Sequence, residues 1–342
     1  MRVFAKINPD TYDRIEEAVR EEKYKDVNQF IRVAVQNQLN IESSGEKQSH
    51  SQLETQTSNK SNGGYTWGYT VPESSPVSSP YEMERGTELL FQQYYRYFPL
   101  IPVLIELAEV TAETGEPVVL NEFRNHIAKK IVPLRNALVD WEEENNIKKT
   151  DRKSTGLPKI DVENPEYSKK RYLDHFVGKI RKRDLTPQSF GHSIGFISYE
   201  PINENKCLVQ LTPSGKRLLQ YENPLLNHGP SASALSSEEQ EYIVAHLKAN
   251  LPAEYQLMEF IYSTISDNGN DTYTNRMDEF EDYLKSGGEF NDASEERIRS
   301  HIAGALSRMV ELGILDRGSK RGVYVPATLP EELLNETSKT VA

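Results

Sequence analysis

Cysteine is almost absent. Cys207 is the single one in 342 residues, which excludes a disulfide framework and any zinc site built on cysteine pairs. No apolar run is long enough to span a membrane, and no charged-then-apolar signal opens the chain, so a reducing cytoplasm is the expected home. The Gly-x-x-x-x-Gly-Lys-Ser/Thr loop of nucleotide-hydrolysing motors is missing, as is the Gly-x-Ser-x-Gly elbow. His50, His126, His175, His192, His228, His246 and His301 are scattered without metal-ligand spacing. Asp140, Glu142, Glu143 and Glu144 beside Lys148 and Lys149 hold the residue types of a metal-dependent nuclease, but clustered acids followed by lysines are ordinary solvated helix surface. Tyr172 lies among basic residues without the Arg and His constellation of a tyrosine recombinase. The expectation is a protein with no catalytic residues, no metal and no cofactor. Positive charge is also in deficit: the net charge of −12 excludes a general nucleic-acid coat, so any basic surface has to be local.

What is present begins at Met1. Arg2-Val3-Phe4-Ala5-Lys6-Ile7 alternates like a strand, with Val3, Ala5 and Ile7 on one face and Arg2, Phe4 and Lys6 on the other. Asn8 caps a helix with Pro9 at its first position, where the missing N–H costs nothing. Tyr12, Ile15 and Val19 form its apolar stripe. Asp26 then opens a second helix carrying Val27, Phe30, Ile31, Ala34, Val35 and Leu39. One short strand needs a partner for its backbone, and so small a unit buries too little surface alone; dimerisation answers both.

These residues resemble the ribbon-helix-helix family of Arc- and MetJ-like repressors. The resemblance implies a dimer whose two-stranded ribbon enters the DNA major groove, with Arg2, Phe4 and Lys6 facing bases. Phe4 suits a thymine methyl. It also implies a phosphate held at the start of the second helix, by the backbone at Val27 and the side chain of Asn28. A small dimerisation module that never touches DNA is the alternative.

Residues 43–86 are rich in Ser, Asn, Gln, Gly and Pro and read as a flexible linker. In 87–226 a helical pattern begins at Leu89, with Pro99 and Pro102 breaking it, and Asn121 caps a helix through Ile131. The spacing of Tyr172, Phe176, Val177 and Ile180 predicts one helix over Glu163–Arg183. That helix is basic, with Lys169, Lys170, Arg171, Lys179, Arg181, Lys182 and Arg183 against Glu166, Asp174 and Asp184. Two alternating runs, Ser193–Tyr199 and Cys207–Leu211, predict a hairpin; Thr212 caps the helix that follows, with Pro213 at its first position. Helix, hairpin and "LTPSGKRLL" resemble the winged helix-turn-helix proteins, which implies that Lys169, Lys170, Arg171, Lys179, Arg181 and Lys182 face DNA.

A short linker, 227–235, leads to a block over 236–328 that repeats the architecture without a sequence period, ahead of a tail at 329–342. Ser236 and Ser294 are hydroxyl caps before early acids, and Gly313 ends a helix before a Gly-, Lys- and Arg-tipped hairpin. This is a second winged-helix resemblance. It implies Arg297, Arg299, His301 and Arg308 near a groove, and Arg317, Lys320 and Arg321 in the wing. Contacts to protein instead of DNA remain the alternative.

The expected architecture is therefore mainly α with small β elements: a ribbon-helix-helix at 1–42, a long linker and two winged-helix-like domains. The expected function is sequence-specific binding of double-stranded DNA by a homodimer joined through its amino-terminal domain. Transcriptional regulation in a bacterial or archaeal cytoplasm is the leading role. A plasmid or viral partition or replication-initiation protein, or a dimeric adaptor that binds no DNA, are the alternatives.

Overall fold

The structure, a computed structural model, describes residues 72, 75–77, 89–267, 272–287 and 290–327. The ribbon-helix-helix reading of 1–42 lies outside the described residues, as does most of the linker. What is described is mainly helical with small sheets.

A buried helix stands at the centre. After the irregular stretch Leu89–Tyr97 and a 3-10 turn at Phe98–Leu100 comes α1, Ile101–Thr114. Ile101, Val103, Leu104, Ile105, Leu107 and Ala108 are all buried, so this helix is apolar nearly all round, as a core helix must be. Pro99 and Pro102 start the two helical stretches instead of breaking one, since the first turn needs no N–H from them. Gly115 closes α1 in the left-handed conformation (φ 70°) and donates its N–H to the Thr111 carbonyl at 2.9 Å. Strand β1 is Val118–Val119, and α2 runs Leu120–Glu144. Its N-cap is Val119, so Asn121 lies inside the first turn and is not the cap.

Then follow α3 (Pro165–Tyr172), a π turn (Leu173–Val177), the hairpin β2 (Lys179–Arg181) and β3 (Thr186–Gln188), and the short α4 (Phe190–Ser193). Strands β4 (Ile197–Asn203) and β5 (Lys206–Leu211) make the expected second hairpin. β5 pairs β4 on one side and β1 on the other, all antiparallel, in the order β1-β5-β4. Alternate residues of β5 (Cys207, Val209, Leu211) are buried against α1 and α2.

α5 is Pro213–Leu218, capped by Thr212, whose Oγ1 accepts the Gly215 N–H at 3.0 Å; α6 is Pro224–His228. The carboxy-terminal block comprises α7 (Ser237–Asn250), α8 (Pro252–Ser266), α9 (Met277–Ser286), α10 (Glu295–Glu311) and the hairpin β6 (Leu315–Arg317) with β7 (Tyr324–Pro326). Ser236 and Ser294 cap α7 and α10, and Gly313 (φ 69°) ends α10, all three where the sequence places them.

The two blocks share one hydrophobic core. The stretch Leu89–Phe98 is held between α8 and α10 by buried charge. Glu254 on α8 accepts the Leu90 N–H at 3.0 Å, and Arg308 on α10 donates to the Tyr94 carbonyl at 2.7 Å. Glu311 accepts the Tyr97 and Phe98 N–H groups. The approach is close: a Cβ on Gly304 would stand 2.7 Å from the Gln92 carbonyl oxygen.

At the head of α7 the Ser236–Glu239 capping box is complete, and Asn223 donates to both oxygens of the buried Glu239. Burial pushes the Glu239 carboxyl up to about 7, against the pull of hydrogen bonds from the Ser236 N–H and Asn223. Between the ordinary value of 4.5 and that value the folded chain holds a proton the unfolded chain has shed. Stability contributed here is therefore full in acid and lost as pH rises through about 7. Glu239→Gln stays neutral and still suits the third position of the box. It is expected to be more stable than the parent by about 2 kcal/mol near pH 8, with the gap closing near pH 4. Urea unfolding at the two pH values checks this; a gap independent of pH would refute it.

Candidate nucleic-acid interface

The basic segment expected as one helix is split into three. α3 starts at Asn164, whose side chain accepts the Tyr167 N–H at 3.0 Å, and Pro165 takes the first position. Glu166 sits in the first turn and Lys169, Lys170 and Arg171 in the last, the polarity that suits the helix dipole. The π turn then ends at Gly178, with φ 105° and its N–H on the Leu173 carbonyl at 2.7 Å. A Cβ here would meet the Tyr199 hydroxyl at 2.9 Å, so both the backbone and the space demand glycine. The chain turns away from the helical path and forms the β2–β3 hairpin. Lys179 and Arg181 therefore lie on a strand, and Lys182 at the tip, where a recognition helix was expected.

Strand pairing sets Lys179 opposite Gln188, Ile180 opposite Pro187 and Arg181 opposite Thr186. Ile180 packs on the core while Lys179 and Arg181 are exposed on the other face, the two-residue alternation of a strand. The turn holds Lys182, Arg183, Asp184 and Leu185. Asp184 accepts from Arg181 Nε at 2.8 Å and from the Thr186 N–H at 3.2 Å, and Arg183 lies 3.8 Å away. The Arg181 hydrogen bond draws its carboxyl down to about 2.

Asp174, in the π turn, is surrounded by three cations: Arg124 of α2 at 2.7 Å, Lys170 at 3.2 Å and Lys179 at 3.8 Å. Burial opposes ionisation, but the hydrogen bonds from Arg124 and Lys170 hold the carboxyl below its ordinary value. Lys169 pairs with Glu166 at 2.8 Å. Glu166, Asp174 and Asp184 thus pair with Arg124, Lys169, Lys170, Lys179, Arg181 and Arg183, and with Arg171 and Lys182 added the cations of α3, the hairpin and Arg124 outnumber these three carboxylates.

Beneath the hairpin runs a groove of about 880 Å³. Its lining includes Lys179 and Arg181 of the hairpin and the aromatic side chains of Phe91, Tyr94, His175 and His192. Phe91 meets Tyr94 edge-on at 5.5 Å and His175 at 6.2 Å, and is 44 % exposed. Burial, with Arg171 and Lys179 nearby, pushes His175 down to about 4; burial also lowers His192. Both shifts favour the neutral rings, so the charged groups lining the groove are Lys179 and Arg181 with Asp174 and Asp184.

The second expected set is dispersed. Arg308 is fully buried, donating through Nη2 and Nε to Glu254 at 2.6 and 3.1 Å, and His301 is buried beside Phe290; neither faces a groove. Their positions follow the core-facing side of α10, with Ile298, Ile302, Ala305 and Met309. Arg297 lies over the Phe290 ring at 5.1 Å, and Arg299 pairs with Glu295 one turn back. Arg317 reaches the Thr150 carbonyl and Asp151 (3.2 Å), tying β6 to the loop after α2. Lys320 and Arg321 are exposed in the β6–β7 turn. Arg2, Phe4, Lys6, Val27 and Asn28 lie outside the described residues.

Sequence reading missed Arg124, Phe91, Tyr94, His175 and His192. Arg124 and Asp174 are fifty positions apart in sequence and on different elements, and no local pattern links them.

Other chemistry is thin. Glu106, buried in α1, meets His126 of α2 at 2.6 Å and Lys130 at 3.6 Å, an interhelical tie. Among the described residues no group of three or more His, Cys, Asp or Glu can hold a metal ion. Cys207 is buried, and burial pushes its thiol up to about 11. No described helix is long and apolar enough to cross a membrane. No family model matches the chain, and neither a curated protein nor a solved structure does.

Proposed function

We propose that this chain is a sequence-specific, dimeric DNA-binding protein and that its role is transcriptional regulation. The observation that carries the reading is the excess of positive charge on α3 and the β2–β3 hairpin, in a chain whose net charge is −12. Charge of that sign, concentrated on α3 and the hairpin, attracts phosphates where the remainder of an acidic protein repels them. The sheet order β1-β5-β4 supports the winged-helix resemblance, since the wing's second strand returns to the strand between the first two helices. In this reading the amino-terminal ribbon of two chains, with Arg2, Phe4 and Lys6, reads the operator. Asn28 and the Val27 backbone hold phosphate, and the basic hairpin adds a contact to the DNA backbone.

The test is binding to DNA from the protein's own upstream region, across a salt series, by three proteins: intact, lacking Met1–Glu42, and carrying Lys179→Ala, Arg181→Ala and Lys182→Ala together. The truncation is expected to lose preference for that DNA over unrelated DNA. The triple variant is expected to keep the preference and lose about 2–3 from the log–log salt slope, close to one for each phosphate contact. Unchanged binding by the truncated form would move recognition to the body, and no binding by any form would leave the adaptor reading.

A further inference from the structure

The groove under the β2–β3 hairpin has a composition that contact with an intact duplex does not use. Within a duplex the flat faces of the bases are hidden in the stack, and a protein meets only their edges and the phosphates. Aromatic floors gain from π faces, which DNA offers only where a nucleotide has left the stack. Here the rings of Phe91, Tyr94 and His175 share one groove, with Phe91 nearly half exposed although its edge contacts hold it in place. Lys179 and Arg181, on the exposed face of β2, line the same groove as the rings. Gln188, paired with Lys179 across the hairpin, adds an amide able to donate and accept along a base edge. Asp174 and Asp184 also line the groove, but Asp174 is held by Arg124 and Lys170 and Asp184 by Arg181. The volume of about 880 Å³ lies within the range of sites that enclose one organic ligand.

We propose that this groove receives a single unpaired nucleotide of bound DNA, its base against Phe91 and His175 and its phosphate at Lys179, with Arg181 shared between that phosphate and Asp184. The inference rests on the DNA-binding reading and names what the body of the protein recognises: a base out of the stack, not base-pair edges. Stacking tolerates any base, so the site adds affinity for opened or distorted DNA independently of sequence.

Two duplexes of the same sequence, one fully paired and one with a one-nucleotide bulge, separate the possibilities by fluorescence anisotropy with the full-length chain. The bulged duplex is expected to bind about tenfold more tightly. Phe91→Ala is expected to bring that ratio close to one while thermal unfolding, measured alongside, shows a folded protein with a modest loss, because the ring is only part-covered. Gln188→Ala, a second variant on an exposed strand position, is expected to lower the ratio in part. Equal affinity for both duplexes would overturn the groove assignment and leave the DNA-binding reading standing. A bulge preference that survives both substitutions would overturn it as well, placing the effect in DNA bending elsewhere on the protein. Failure to bind either duplex would overturn both.

Discussion

Arg308→Met is expected to lower the stability of the folded body by about 3–5 kcal/mol, measured by urea unfolding. Arg308 is fully buried in the last turn of α10, and its guanidinium serves two partners at once. Nε and Nη2 grip the Glu254 carboxylate, and Nη1 donates to the Tyr94 carbonyl. Removing it leaves the fully buried Glu254 carboxyl with the Leu90 N–H as its one hydrogen-bond donor among the described residues. That uncompensated group, more than the lost contact, sets the size of the effect. Arg308→Lys keeps the charge, but a single ammonium cannot span the carboxylate and the carbonyl, so it too is expected to destabilise, by less. Adding Glu254→Gln to Arg308→Met removes the stranded carboxyl, and the pair is expected to recover at least half of the loss. A cost under about 1 kcal/mol for Arg308→Met would show that water reaches Glu254. The consequence extends to the groove, because Arg308 and Glu254 hold the stretch that carries Phe91 and Tyr94.

The same residue marks where sequence reading stops. Caps were legible, because Thr212, Ser236 and Ser294 act on N–H groups within three residues of themselves. Hairpins were legible for the same reason: alternation and a polar turn are local, and β4–β5 and β6–β7 fall close to where the pattern puts them. The basic segment was not. Tyr172, Phe176, Val177 and Ile180 fit a helical stripe, yet Gly178 turns the chain at φ 105° with the Tyr199 hydroxyl where a Cβ would stand, a contact from twenty-one residues away. The cations kept their place in the sequence and changed element, so a recognition helix became a helix end and a hairpin. Arg308 was read as surface because a charged residue on a helix usually is. Its partner stands fifty-four positions earlier, and only the packing of α8 against α10 makes a buried arginine tolerable.

Gly215→Ala is expected to cost about 3 kcal/mol, although propensity alone argues for a gain of nearly 1 kcal/mol. The residue lies in the first turn of α5, where alanine is ordinarily better than glycine. What decides the sign is the neighbour: a Cβ at this position would stand 2.2 Å from the Phe196 carbonyl oxygen and 3.0 Å from its carbon. These are backbone atoms and cannot rotate aside. Phe196 is itself fixed, its ring buried 4.6 Å from that of His246 and its carbonyl accepting the Thr212 N–H at 3.0 Å. Relief therefore requires α5 to move off the sheet. That would strain the Thr212 cap, which also donates to the Gly195 carbonyl at 2.7 Å and so ties the helix to the start of β4. Ser214→Ala, one residue earlier and half-buried, keeps the carbonyl that accepts the Tyr242 hydroxyl and is the control, expected within about 1 kcal/mol of the parent. Thermal unfolding of the two variants separates the contributions. A loss at Gly215 alone assigns the glycine of the "LTPSGKRLL" run to close packing of the helix on the sheet. A gain at Gly215 would mean that α5 can shift without cost, and that the cap does not hold it.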